Sequence, residues 1–253
     1  MPTLRTLMTV LLVAIAAPAG AQTLTLSPAV VPLKGHPGQS TTQSLTVTNA
    51  TRFELAFALE ARDVVVRNGE RVFVDAGELP GSIAATAVFS ATTVVVPPGG
   101  SRTVDVTVTL TAGAGHRAMV ALFRGTTPLP QGNATSTASL GTLLTFSISD
   151  HVSLTPSELK ITPQSDSSNA AFEIALANEG EEPAVPQGVV VVLDASGRVM
   201  GKSPFETRRL LPGERATLRS EYSGELRAGT YRVIATFSYE GRSLTRAAEL
   251  TIR

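Results

Sequence analysis

The chain contains no cysteine and no tryptophan, and only 5% of its residues are aromatic. Without cysteine there is no disulfide and no lipid-bearing cysteine at a processed N-terminus. An exported chain that forgoes disulfides has to draw its stability from the size of its cores. So few aromatics make poor material for a sugar-binding cleft, which counts against a carbohydrate-active enzyme. Excess charge of either sign is also missing, since 21 Lys and Arg balance 21 Asp and Glu. Residues 22–150 and 151–253 are each near balance as well, so neither half has the basic surplus that nucleic acid demands. After the N-terminus no apolar run approaches a membrane span; Val189 to Leu193 suits a buried strand.

Catalytic signatures are absent too. The sequence has no G-x-S-x-G elbow, H-E-x-x-H helix, P-loop or Rossmann fingerprint. Its three histidines, His36, His116 and His151, are not spaced for zinc and read as loop residues. Glu179, Glu181 and Glu182 flank Gly180 without the alternating pattern of a calcium loop, and read as a solvated turn. Arg208, Arg209, Arg215 and Arg219, with Glu206, Glu214 and Glu221 among them, read as a mixed soluble surface. No metal, cofactor or catalytic residue is expected. The expectation is a non-enzyme.

What is present begins with an export signal. Arg5 supplies a basic start, Leu7 to Ala17 an apolar core, and Ala19-Gly20-Ala21 a small-residue cleavage site. Residues 1–21 are therefore expected to be removed before Gln22. That places the protein in the periplasm or at the cell surface, with no integral membrane segment remaining.

The rest alternates. Leu24 to Leu26 and Val30 to Leu33 are short pieces broken by Pro28 and Pro32, as in an edge strand that changes sheets. Ser40 to Asn49, Phe53 to Val66, Arg71 to Val74, Val94 to Val96 and Thr103 to Leu110 follow as strands. Asn68-Gly69 is a hairpin turn of the type that needs positive φ twice. Ser82 to Phe89 reads as a loop or one helical turn. Ala118 to Phe123 is apolar enough to be a central strand, and Gly125 to Ala138 reads as a long polar loop. Leu140 to Asp150 then puts Leu144, Phe146 and Ile148 on one face.

The same grammar restarts after His151. LTVTN at Leu45–Asn49 is echoed by IALAN at Ile174–Asn178. The turn Pro97-Pro98-Gly99-Gly100 before one strand is echoed by Leu211-Pro212-Gly213 before Ala216–Tyr222. Tyr231, after Ala228-Gly229-Thr230, stands where an immunoglobulin-type sandwich places its tyrosine corner. His116 occupies the comparable place in the first half. The expectation is an all-β chain of two tandem immunoglobulin-like sandwiches: 22–150, a linker at 151–157, and 158–253.

The broken strand LTLSPAVVPL, the strand QSLTVTN, the Pro-rich turn before TVDVTVTL, and MVALFRGTTPLP…SLGTLLTFSISD together resemble the PapD-like periplasmic pilus chaperones. This resemblance covers most of 22–150. It implies that the last strand of the first sandwich offers alternating apolar residues, here Leu140, Leu144, Phe146 and Ile148, to an incomplete β segment of a client such as a pilin-like subunit. It also implies two basic residues that anchor a client's terminal carboxylate. The last strand has no Lys or Arg, so the nearest candidates are Lys34 and Arg124. The implied function is chaperone-like binding of another exported or surface protein. The alternative is a structural or adhesive surface module that binds a protein or cell-wall polymer.

Overall fold

The computed structural model describes residues 24–252 apart from 114, 132–133, 164–168 and 225. The signal-peptide assignment, residues 1–21, lies outside the described residues. Among those described, no helix is long and apolar enough to cross a membrane.

In the first sandwich the chain enters as β1 (Leu24–Ser27) and, past Pro28, continues as β2 (Val30–Lys34). β1 pairs with β3 (Ser40–Asn49) in one sheet, while β2 joins the other. The change of sheet falls at Pro28, between the two strands, while Pro32 lies within β2 opposite Thr145. β4 (Leu55–Arg67) turns at Asn68-Gly69 into β5 (Glu70–Asp75), and both turn residues have positive φ, 54° and 82°. A 3-10 turn at Ala84–Thr86 precedes β6 (Val88–Phe89) and β7 (Thr93–Val96). Then come β8 (Ser101–Thr109) and β9 (Ala118–Gly125). The stretch read as a loop holds a short hairpin of β10 (Leu129–Gln131) and β11 (Ala134–Ser136). Thr and Ser at those positions serve a strand as well as a loop. β12 (Leu140–Ser147) closes the sandwich.

One sheet runs β1-β3-β8-β6; the other runs β2-β12-β9-β4-β5, with β7 also on β4. Their inner faces share a core that includes Leu45, Phe57, Val106, Phe123, Leu144 and Phe146. Their outer faces differ sharply. On β3 and β8 five cross-strand side-chain pairs, from Ser40–Thr109 to Thr48–Ser101, hydrogen-bond at 2.6–2.9 Å. That face is a hydroxyl surface made for water. The outer face of the second sheet carries an apolar patch beside charged residues such as Glu60 and Arg62, and that patch forms the site described below.

Residues 151–157 are not a free linker. Val152 and Leu154 belong to the second core, and β13 (Leu154–Pro156) pairs with the end of β15 (Ala170–Asn178). Two buried apolar side chains in a short segment outweigh its Ser, Thr and Pro content. β14 (Lys160–Pro163) pairs with the start of β15. β16 (Gln187–Leu193) and β17 (Val199–Pro204) form a hairpin. β18 (Arg215–Tyr222) pairs with β15, and β19 (Gly229–Tyr239) pairs with both β16 and β20 (Arg242–Ile252). The two sheets enclose a separate core around Phe172, Leu176, Val190, Leu218, Val233 and Phe237.

The echo between the halves has a physical cause. Asn49 and Asn178 are both buried at a strand end. Asn49 Nδ2 donates to the carbonyls of Phe53 and Val96, and Asn178 Nδ2 to those of Glu182 and Leu210. Each Oδ1 accepts the N–H two residues on, of Thr51 and of Gly180. Each backbone carbonyl accepts from the following Pro-Gly turn, through Gly99 N and Gly213 N. One amide thus satisfies carbonyls that would otherwise be buried unpaired. Asn49→Ala is expected to cost about 2 kcal/mol, read as a shift of the urea midpoint.

Tyr231, largely buried, donates its hydroxyl to the carbonyl of Arg227 at 2.8 Å. Tyr231→Phe is expected to lower stability by about 1 kcal/mol in the same assay, since one carbonyl loses its donor.

Candidate functional site, an apolar trough beside an open strand edge

The strand registers fix which side chains share the outer face of the second sheet. Arg62 pairs with Asp75 and with Val120, and Val120 pairs with Leu143, which pairs with Val30. One step along, Phe73 pairs with Val64. One step the other way, Glu60 pairs with Leu122 and Leu122 with Gly141. Because side chains alternate, all of these lie on one face. Phe73, Val64, Val120, Leu122, Leu143 and Gly141 line a trough of about 320 Å³, with Arg62 and Arg71 at its rim. Phe73 is 57% exposed, a large share for an aromatic ring with nothing over it.

At one end the trough meets a strand edge. β9 pairs with β12 over Leu140–Thr145, but β2 joins β12 on its other side only from Leu143 on. Thr142 is buried and donates its hydroxyl to the carbonyl of Pro28 at 2.7 Å, so the part of β12 with a strand on one side only and an open edge on the other is Leu140–Gly141. At the other end the trough runs into the contact between the sandwiches, where Val64, Val120 and Leu143 pack with Leu211.

Two buried carboxylates of the second sandwich fix that contact. Glu182 is 1% exposed; it accepts the N–H groups of Ile148 and Ser149 at 3.1 and 2.9 Å and the Ser149 hydroxyl at 3.0 Å. Arg117 lies 3.7 Å from the same carboxylate. Glu214, also 1% exposed, accepts from Arg71, from Arg208 at 2.9 Å and from Leu211 N at 2.8 Å. Arg71 also donates to the carbonyl of Arg209 at 2.6 Å. Burial lowers the Arg209 pKa from its ordinary value; Glu240 opposes that shift and Arg71 adds to it. Glu182 and Glu214 are thus corrections to the sequence reading, which made one a solvated turn and the other part of a soluble stripe. Each sits where a loop of the second sandwich meets the first, a contact no local pattern encodes.

The expected client-binding edge is changed in the same way. Leu144 and Phe146 are buried in the core, and their strand is paired on both sides from Leu143 to Thr145. Leu140 and Ile148 are partly buried and pack against that core. The four alternating residues are therefore not presented as a free apolar edge. Their periodicity reports the core face of β12, and the open part of the strand is its first two residues.

Lys34 and Arg124 do not form a pair. Lys34 pairs in register with Ser147, while Arg124 lies beyond the Phe123–Leu140 pair. They stand eight register positions apart, roughly 26 Å at about 3.3 Å per residue. Arg124 is also engaged by Glu60. Lys34 lines a shallow hollow with His36, Ser149 and Asp150 near the junction.

His116 reaches inward rather than sitting loose in a loop. Its Nε2 lies 2.8 Å from Asp63 Oδ1, and Asp63 is fully buried. Asp63 also accepts from Ser82 Oγ and from the N–H groups of Ile83 and Ala84 at 3.0 and 2.9 Å. This carboxylate holds the 3-10 turn and the loop before β9 against β4. His151, by contrast, is exposed, 3.8 Å from the exposed Glu181.

The trough residues were missed by the sequence reading, although a signal existed. DVVV in β4 and MVALF in β9 are apolar at consecutive positions, which marks strands covered on both faces. Gly141 carries no such signal.

No protein-family model matches the chain, and no curated protein matches it. Solved structures of similar course do exist. The class 5 fimbriae chaperone CfaA is 14% identical over 89% of this chain and 98% of its own, with a TM-score of 0.45. The CsuC–CsuE chaperone–tip adhesion subunit pre-assembly complex, from archaic chaperone–usher Csu pili of Acinetobacter baumannii, gives 8% identity over 89% of this chain and 97% of the matched one, with a TM-score of 0.47. The E. coli chaperone DraB is 14% identical over 90% of this chain and 98% of its own, with a TM-score of 0.42. In architecture the protein is a pair of tandem immunoglobulin-like sandwiches, similar in course to these.

Proposed function

We propose that the protein is an exported, non-enzymatic chaperone-like protein that binds extended β segments of another exported or surface protein, a pilin-like subunit being the class of client. It works in the periplasm or at the cell surface. The observation that carries this reading is the meeting of two features: a strand edge open at Leu140–Gly141 and an apolar trough that begins at that edge. An added strand would take its hydrogen bonds from the edge and bury alternate side chains in the trough. The donated surface is thus the outer face of the sheet, and Leu144 and Phe146 support it from within.

The test compares the protein carrying material co-purified from the cell envelope with the same protein stripped of it. The amide of Gly141, which faces the open edge while those of Leu140 and Thr142 face β9, is expected to exchange at least tenfold more slowly in the loaded form. Protection on the loops of the second sandwich, with none at Gly141, would sink this reading in favour of the adhesive module. Phe73→Ser is expected to cut the co-purified material severalfold while the melting temperature holds, because that ring is largely exposed already.

A further inference from the structure

β5 ends its sheet: β4 pairs with one side of it, and no strand among the described residues pairs with the other. The ladder shows which backbone groups are left over. Leu59 N donates to the carbonyl of Thr92, on the side of β4 where β7 and β5 lie, so the odd-numbered residues of β4 turn their N–H and C=O groups to that side. Asp63 is one of these, and its partner Val74 turns its own groups back to β4. Arg71, Phe73 and Asp75 therefore turn theirs to the open side. Their side chains share the outer face of the sheet with Val64, while those of Val72 and Val74 share the core face with Asp63.

Read outward from its middle, Arg71-Val72-Phe73-Val74-Asp75 is self-complementary. We propose that two copies of the chain join along this edge, as an antiparallel strand pair about a two-fold axis at Phe73. Such an isologous contact requires that each residue meet a partner that it also meets in reverse. Phe73 then faces Phe73 of the other copy, and the two exchange N–H···O=C bonds. Arg71 lies opposite Asp75 at both ends, with the outward backbone groups of one facing those of the other. On the core face Val72 lies opposite Val74, again twice. Odd residues meet odd and even meet even, so core faces stay on one side of the joined sheet. Other registers fit worse: centring on Arg71 or Asp75 sets like charges together, and centring on either valine sets Phe73 against a charged residue.

The charges stand ready for this pairing. The Asp75 side chain is 64% exposed beside Arg62. Arg71 and Arg208 share the single carboxylate of Glu214, so that trio keeps a net positive charge for an arriving Asp75. Between the charges Phe73 is exposed, and a cross-strand ring pair would cover it. The long outer strand of the second sandwich is built differently. β20 pairs with β19 alone, and on its core face Arg242 and Arg246 reach the carbonyls of Val152 and Pro156. Inward-pointing charges of that kind deter strand addition. The core face of β5 carries only Val72 and Val74 between its ends, and lacks that guard.

The contact needs no client, so the test uses protein stripped of co-purified material. In sedimentation equilibrium its mass is expected to rise from one chain to two as the concentration goes from micromolar to millimolar. Phe73→Lys puts a charge at the centre of the edge, and Asp75→Arg sets two arginines together. Each should weaken the dimer at least about tenfold while the unfolding midpoint holds, since both side chains are largely exposed. Because the chain has no cysteine, single cysteines report the register. Residue 73 would face its own copy at about 5.5 Å between Cα atoms, within disulfide reach. Phe73→Cys is thus expected to give a linked dimer on mild oxidation, and Glu70→Cys, far out of register, to give none. A mass of one chain at millimolar concentration, or a dimer indifferent to both Phe73→Lys and Asp75→Arg, would overturn the proposal. A dimer linked through Glu70→Cys but not through Phe73→Cys would overturn the two-fold at Phe73.

Discussion

Glu214→Ala is expected to cost about 3 kcal/mol and to separate the unfolding of the two sandwiches. The carboxylate is almost fully buried and is shared by Arg71 from the first sandwich and by Arg208 and the Leu211 N–H from the second. Removing one partner of a buried ion pair strands the other, a loss of about 3–5 kcal/mol. The lower figure applies because both arginines keep part of their surface in water, and Arg71 retains the Arg209 carbonyl. The chain offers a convenient readout. It has three tyrosines, Tyr222, Tyr231 and Tyr239, all in the second sandwich, and no tryptophan. Tyrosine emission therefore reports that half alone, while far-ultraviolet dichroism reports both. In the variant the two urea transitions should no longer coincide, and coincident transitions at an unchanged midpoint would refute the role given to Glu214.

Asp63→Ala is expected to cost more, about 4 kcal/mol, and to act on the first sandwich. Two backbone N–H groups, the Ser82 hydroxyl and His116 converge on this fully buried carboxylate. Each buried donor left without an acceptor costs about 1–3 kcal/mol, and the losses overlap because the donors share one site. Asp63→Asn keeps an oxygen for the N–H groups of Ile83 and Ala84 and should recover about half the loss. The dichroism midpoint should fall well ahead of the tyrosine midpoint. A variant whose two midpoints move together would show that Asp63 acts on the whole protein rather than on its own sandwich.

Alternation made the architecture legible, because it states which face of each strand is buried. It placed β3, β8 and β15 well, and the paired echo of Asn49 and Asn178 located a device that both sandwiches share. The same rule misled at β12. Leu144 and Phe146 alternate because they face the core, and alternation alone does not separate a core face from a client face. What decides the matter is β2, a parallel neighbour more than a hundred residues away in sequence, for which a single strand carries no sign. Glu182 and Glu214 illustrate a second limit. A glutamate in a polar loop reads as solvated unless the surface that meets it is known. The trough is legible only as a surplus, in the consecutive apolar residues Val64–Val66 of β4 and Ala118–Phe123 of β9.

The place of β12 between β9 and β2 also sets an order of events in folding. β2 comes early in the chain, β9 later, and the strand that joins them comes last in the first sandwich. Until residues 143–147 are available, β2 has no neighbour in its sheet and β9 has a bare edge. A chain halted at residue 139 would thus hold two unpaired edges at once, the sort of intermediate that associates with its own copies. Closing the sheet brings together residues far apart in sequence, which is slow for reasons of chain entropy. The first sandwich is therefore finished from its far end, by the strand whose exit, Ile148 and Ser149, Glu182 of the second sandwich then holds.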